Sequence, residues 1–119
     1  MAEYAPIYLS GDQLPRTTSA AVSAGQLLYV SGDDTVAKTS AATGAWIGVA
    51  AHDAASGGQV VVYTEGVHEL AASGAIAAGA RVCAAANGAV ADFASGTDYS
   101  QVVGIALSAA ASSKVRVLF

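Results

Sequence analysis

The chain has 119 residues, of which 54% are hydrophobic and only 12% charged, and nine acids against five bases leave a net charge of −4. That length suits one domain with room for a core, and a charged share about half the usual one points to surface buried against other chains. The cations Arg16, Lys38, Arg81, Lys114 and Arg116 form no cluster able to displace phosphate counterions, which excludes nucleic acid as a partner.

Residues 1–20 carry the bulky groups Tyr4, Ile7, Tyr8 and Leu9 on a stretch broken by Pro6, Gly11 and Pro15. Proline removes a backbone donor and pushes its neighbour toward extended geometry. The stretch reads as an extended N-terminal arm lying on another surface, or equally as a first edge strand, followed by a single β domain over residues 21–119. Gln26–Val30 is a short β-favouring run closed by the turn-like Ser31-Gly32-Asp33-Asp34. Ala45–Ala50 reads as a buried strand in which Gly48 permits a bulge or close backbone approach. Gln59–Tyr63 is a Val-rich strand after Ser56-Gly57-Gly58, and Gly66 marks a bend before Val67-His68-Glu69-Leu70.

Ala71–Ala80 is rich in alanine but contains Gly74 and Gly79 and shows no 3.6-residue apolar stripe, so it reads as extended loop rather than helix. Arg81–Ala84 and Val90–Phe93 flank Asn87-Gly88, the dipeptide best suited to a tight hairpin because both residues tolerate positive φ. Val102–Leu107 and Lys114–Phe119 complete the set. Alternation in the last run places Val115, Val117 and Phe119 inward and Lys114 and Arg116 in solvent.

The chain also repeats itself. Ala24-Gly25 returns as Ala78-Gly79, Val36-Ala37 as Val90-Ala91, Ile47-Gly48-Val49-Ala50 as Val103-Gly104-Ile105-Ala106, and Val60 and Val62 as Val115 and Val117. The offset stays near about 55 residues, as expected for a duplicated structural unit. The copies run from about residues 24–63 and 78–118, and what recurs is framework (Gly, Ala, Val, Ile) rather than chemistry. The fold class expected is all-β, a small β-sandwich or β-barrel-like domain built from two similar β units.

The search for chemistry finds little. His52-Asp53 and His68-Glu69 set an imidazole beside a carboxylate, but strand neighbours point to opposite faces and form no relay. Cys83, the single cysteine, allows no intrachain disulfide and lies in an apolar run as a small buried thiol. Asp33-Asp34 reads as a solvated turn with too few oxygen donors for calcium. No Gly-x-Ser-x-Gly elbow and no phosphate loop with its lysine occurs. The expectation is a protein that is not an enzyme and has no catalytic residue, cofactor or metal. Met1–Pro6 lacks the basic-then-apolar order of an export signal, and uncharged stretches such as Tyr99–Ser113 fall short of the roughly 18–20 residues of a spanning helix, so no membrane partner is expected.

Thr17-Thr18, Val22–Val30, Ile47–Ala50, Ala54–Val62, Glu65–Leu70, Gly79 and Val103–Ala106 together resemble the small capsid decoration proteins of tailed bacteriophages, also called cement or head-stabilising proteins. The resemblance covers residues 17–119 and its motifs are structural. It implies a virion protein made in the host cytoplasm that assembles with itself, often as a trimer, on the outer capsid surface. There it would bind the major capsid protein where subunits meet and stabilise the expanded head. Tyr4, Ile7, Tyr8 and Leu9 are the expected capsid contacts of the arm. Two rival readings are another virion β-module (spike, fibre or tail part) and a small-ligand or sugar-binding β domain, the latter disfavoured by a single Trp and few Asn or Asp at loop ends.

Overall fold

A computed structural model describes residues 14–94 and 96–119. Tyr4, Ile7, Tyr8 and Leu9 therefore lie outside the described residues. Among the described residues ten strands follow one another: β1 (Leu14–Thr18), β2 (Leu27–Gly32), β3 (Thr35–Lys38), β4 (Trp46–Ala50), β5 (Gln59–Tyr63), β6 (Val67–Ala71), β7 (Arg81–Ala84), β8 (Val90–Asp92), β9 (Val102–Ala106) and β10 (Lys114–Leu118). The fold is all-β, and Ala71–Ala80 is loop after the end of β6.

The strands form two five-stranded units, and the second copies the first pair by pair. β1–β5 close into a barrel in which β1 pairs antiparallel with β5 and parallel with β3. β6–β10 make a sheet of order β6-β10-β9-β7-β8, whose ends are joined by one parallel bridge, Ala72 to Val90, the counterpart of Thr18 to Val36. Leu27↔Val49 and Leu28↔Gly48 become Arg81↔Ile105 and Val82↔Gly104, and the irregularity after Leu28 returns after Val82. Backbone bonds repeat as well: Gly25 N–H donates to Ala50 O and Gly79 N–H to Ala106 O, each at 2.8 Å.

The equivalence extends beyond the residues that repeat in sequence. Leu14–Thr18 and the stretch His68–Ala72 match at no aligned position, yet both lie against the last strand of their unit, Thr17 opposite Gln59 and Ala71 opposite Lys114. β2 also runs on through Ser31-Gly32, which its composition assigns to the turn. A register shift brings Gly32 opposite Thr35 and confines the turn to Asp33-Asp34. Asn87 and Gly88 make the expected tight connection, with φ of 61° and 69°.

Glycine is required where β4 meets β5 and where β9 meets β10. A Cβ on Gly48 would stand 2.2 Å from Tyr63 O, and one on Gly104 2.1 Å from Leu118 O. Both backbones approach too closely for any side chain.

The core has two parts. Inside the barrel, Val22, Leu28, Val36, Ala50, Val60 and Val62 pack together, with Leu14, Ile47 and Ala54 at its margin. The second cluster holds Leu70, Ile76, Val82, Val90, Val115 and Val117, and it also takes in Leu27 and Val49 of the first unit. Successive strand residues face opposite ways, so Leu28 and Ala50 fill the barrel while Leu27 and Val49 point out of it under the second unit. Burying a leucine side chain contributes about 1.5–3 kcal/mol.

Polar contacts hold the same junction. Thr39, fully buried, donates from Oγ1 to Ala85 O at 2.7 Å, and its carbonyl accepts from Gly88 N–H at 2.9 Å. Trp46 Nε1 donates to Ser100 O at 3.0 Å and its ring meets Phe119 edge-on at 6.1 Å. Phe119 is half-buried, and Val115 and Val117 are buried between exposed Lys114 and Arg116.

Denaturant unfolding tests these assignments. Leu27→Ala is expected to lower stability by about 2–5 kcal/mol although Leu27 lies outside the barrel. Thr39→Val leaves Ala85 O buried without its donor and should cost about 1–3 kcal/mol. Gly48→Ala and Gly104→Ala should each cost about 1–3 kcal/mol, and an unchanged midpoint for both would refute the close approach.

Candidate interaction surface

The groups that carry most chemistry are engaged in holding loops. His52, in the loop after β4, accepts at Nε2 from Val61 N–H at 3.3 Å, which leaves Nδ1–H to donate to Asp53 O at 2.8 Å. The Asp53 carboxylate accepts from Ala24 N–H at 2.8 Å and so ties that loop to the start of β2. His68 lies between Tyr63, stacked at 5.9 Å, and Phe119, edge-on at 5.3 Å, with Nε2 2.8 Å from Glu65 O. The two histidines are held in separate settings. Among the described residues no three of His, Cys, Asp and Glu come together as a metal site.

Cys83 on β7 is half-buried, with Sγ 3.7 Å from Ala91 O. Burial pushes its thiol above the ordinary range, its backbone hydrogen bond works the other way, and the Asp92 charge adds to the rise. A thiol held in its protonated form is a poor nucleophile. Asp33 and Asp34 occupy the exposed β2–β3 tip, where Asp34 lies 3.6 Å from Arg16 in a weak, exposed pair. No helix among the described residues is long and apolar enough to cross a membrane.

What remains is a surface. Cross-strand register sets Val67, Leu118, Ile105 and Arg81 in one row across the outer face of the second unit. Val67 is 52% exposed and Leu118 41%. The row leads into an open cleft of about 410 Å³ lined by Arg81, Phe93, Tyr99 and Val102. The Phe93 and Tyr99 rings stand 5.6 Å apart, and Tyr99 is 76% exposed. Apolar groups aligned on a sheet face beside an aromatic pair and one cation suit contact with another protein.

Sequence reasoning missed this face because its members come from four strands and a loop. One signal was available: on the outward side of β10, after Lys114 and Arg116, the third position is Leu118. A leucine where alternation calls for a polar group marks a covered or contacting position.

The model of the phage cement protein family matches residues 34–119, more than half of the chain. Among solved structures the chain is similar to the N-terminal base of the head fiber protein gp8.5 of bacteriophage phi29, at 24% identity and a TM-score of 0.68, covering 91% of this chain and 92% of that one. That likeness concerns the fold. Among curated proteins no comparison reaches significance. With a duplicated β framework and a family match that reaches into both units, the chain belongs to the phage cement proteins.

Proposed function

We propose that the protein binds the outer surface of a phage capsid where major capsid protein subunits meet and stabilises the expanded head, as a homo-oligomer and without catalysing a reaction. The observation that carries this reading is the family match over residues 34–119. The physics of the chain supports it. A low charge and a sheet face with few charged groups allow close contact over a flat area, and many equivalent sites on a shell let a modest energy per copy add up. A trimer gains further, because linking several weak contacts makes all but the first intramolecular.

The N-terminal arm is the second part of the proposal. Tyr4, Ile7, Tyr8 and Leu9 precede β1, whose first residue, Leu14, is paired with Val62 at the edge of the barrel. An extended segment leaving that point suits addition to an exposed strand edge on a neighbouring capsid subunit, with backbone bonds giving affinity and the bulky side chains anchoring it.

Likeness to a head fiber base favours a second reading, a base module carrying a longer projection. That role requires a tail or fibre protein as partner, whereas a cement protein needs the shell alone.

Cosedimentation with purified heads tests the capsid reading. The protein is expected to pellet with expanded heads and to leave unexpanded ones unbound, and no binding to either would remove the capsid reading. A variant lacking residues 1–12, which leaves β1 intact, is expected to fold normally and to bind heads at least about tenfold more weakly, equivalent to about 1.4 kcal/mol. Unchanged affinity would dismiss the arm.

A further inference from the structure

Two hairpins occupy equivalent places in the two units and meet different fates. Residues 85–89, between β7 and β8, press onto the first unit: Gly88 N–H donates to Thr39 O at 2.9 Å, Ala85 O accepts from Thr39 Oγ1 at 2.7 Å, and a Cβ on Gly88 would touch Gln26. Their counterparts by register, residues 31–35, span the same number of residues but turn at Asp33-Asp34, where only Asp34 has positive φ, 51°, against 61° and 69° at Asn87 and Gly88. That loop makes contacts within its own unit, Ser31 Oγ with Ser19 Oγ at 2.8 Å and Asp34 with Arg16 at 3.6 Å, and Ser31, Gly32, Asp33 and Asp34 are all exposed.

The receiving face is duplicated in the same way. In the first unit it comprises Thr39, whose N–H donates to Leu27 O, together with Leu27 and Val49. All three are buried by the second unit. In the second unit Phe93 N–H donates to Arg81 O, and Ile105 lies opposite Arg81, so Phe93, Arg81 and Ile105 hold the equivalent places. This copy of the face is open, and the cleft between Arg81, Phe93, Tyr99 and Val102 lies in it. Among the described residues, each chain therefore holds one completed contact between hairpin and face, and one hairpin and one face that do not meet each other or a counterpart.

The differences between the copies match each other. Inside the chain a neutral tip, Asn87-Gly88, meets a face built on Leu27. At the two free ends the tip is the acidic Asp33-Asp34 and the residue replacing Leu27 is the cation Arg81. Arg81 makes no ion pair with a described residue. The other charges near the cleft are Asp92, exposed at the end of β8, and Asp98, whose carboxylate is held by Ser100 N–H and Oγ at 3.2 and 2.6 Å.

We infer that the protein self-associates head to tail: the hairpin of residues 31–35 of one copy seats in the cleft between Arg81, Phe93, Tyr99 and Val102 of a second copy, with Asp33 and Asp34 against Arg81. The Phe93 and Tyr99 rings and the row Ile105, Leu118 and Val67 supply the apolar contact, and the charges fix which ends meet. A contact between two different patches generates a closed ring when its rotation closes. The inference rests on the reading of the protein as a homo-oligomer and identifies the surfaces that would make it one.

Sedimentation of the full chain tests it. The wild type is expected to associate, Arg81→Glu and Asp33→Lys each to raise the dissociation constant about tenfold or more, and an equimolar mixture of the two variants to recover association, since the lysine tip of one meets the glutamate face of the other. Should either variant misfold, Tyr99→Ser alters an exposed ring of the same cleft and should also weaken assembly. A wild type that stays monomeric at every concentration, or charge variants that associate as tightly as it does, would overturn the inference. Head binding by a monomer overturns the self-contact and leaves the capsid reading standing. An assembly sensitive to both charges that ignores expanded heads does the reverse. Loss of head binding by Arg81→Glu with self-association unchanged assigns the cleft to the capsid and overturns the inference.

Discussion

The structure depends on burying β2 and β4 on both faces. Leu28 and Ala50 fill the barrel, and the residues next to them, Leu27 and Val49, point out of it and are covered by the second unit. A small barrel built of alanine and valine has a thin core, so much of its apolar surface must be covered from outside. The second unit supplies that cover and, with Thr39 bound to its hairpin backbone, fixes how the two halves meet. Neither copy is a self-sufficient module in this arrangement.

A duplicated unit that covers its twin leaves its own equivalent face uncovered. Tandem repeats share this property: each repeat buries its neighbour's face, and the terminal ones must be capped, made polar or used. Here the terminal face is only partly polar. Arg81 replaces Leu27, while Ile105 and Leu118 stay apolar and Phe93 and Tyr99 add an aromatic pair. Function in such a chain resides where the copies differ, because the shared residues are already committed to the fold. His52, Asp53 and His68, the side chains best suited to chemistry, are committed as well, each to holding a loop.

How far this could be read from the residues varies by element. The Asn87-Gly88 hairpin, the bulge and close approach at Gly48, the bend at Gly66 and the inward set Val115 and Val117 rest on local rules, in which a residue type and its near neighbours decide the geometry. β1 was harder to place. It matches β6 at no aligned position, and only its partners β5 and β3 make it the first strand of a unit. The face of Val67, Leu118, Ile105 and Arg81 was not legible, because strands far apart in sequence bring it together and each contributes one residue.

That the chain is all-β and that its framework is written twice are legible in the residues alone. Those properties follow from alternation, glycine placement and composition, which act over a few residues at a time. Tertiary structure decided which of the repeated faces is covered. Leu27 and Arg81 hold the same place in their units, and nothing in their immediate sequence says that one is buried beneath the second unit and the other left open. That difference comes from one asymmetry of packing: the second unit lies over Leu27 and Val49 of the first, while Arg81 stays exposed.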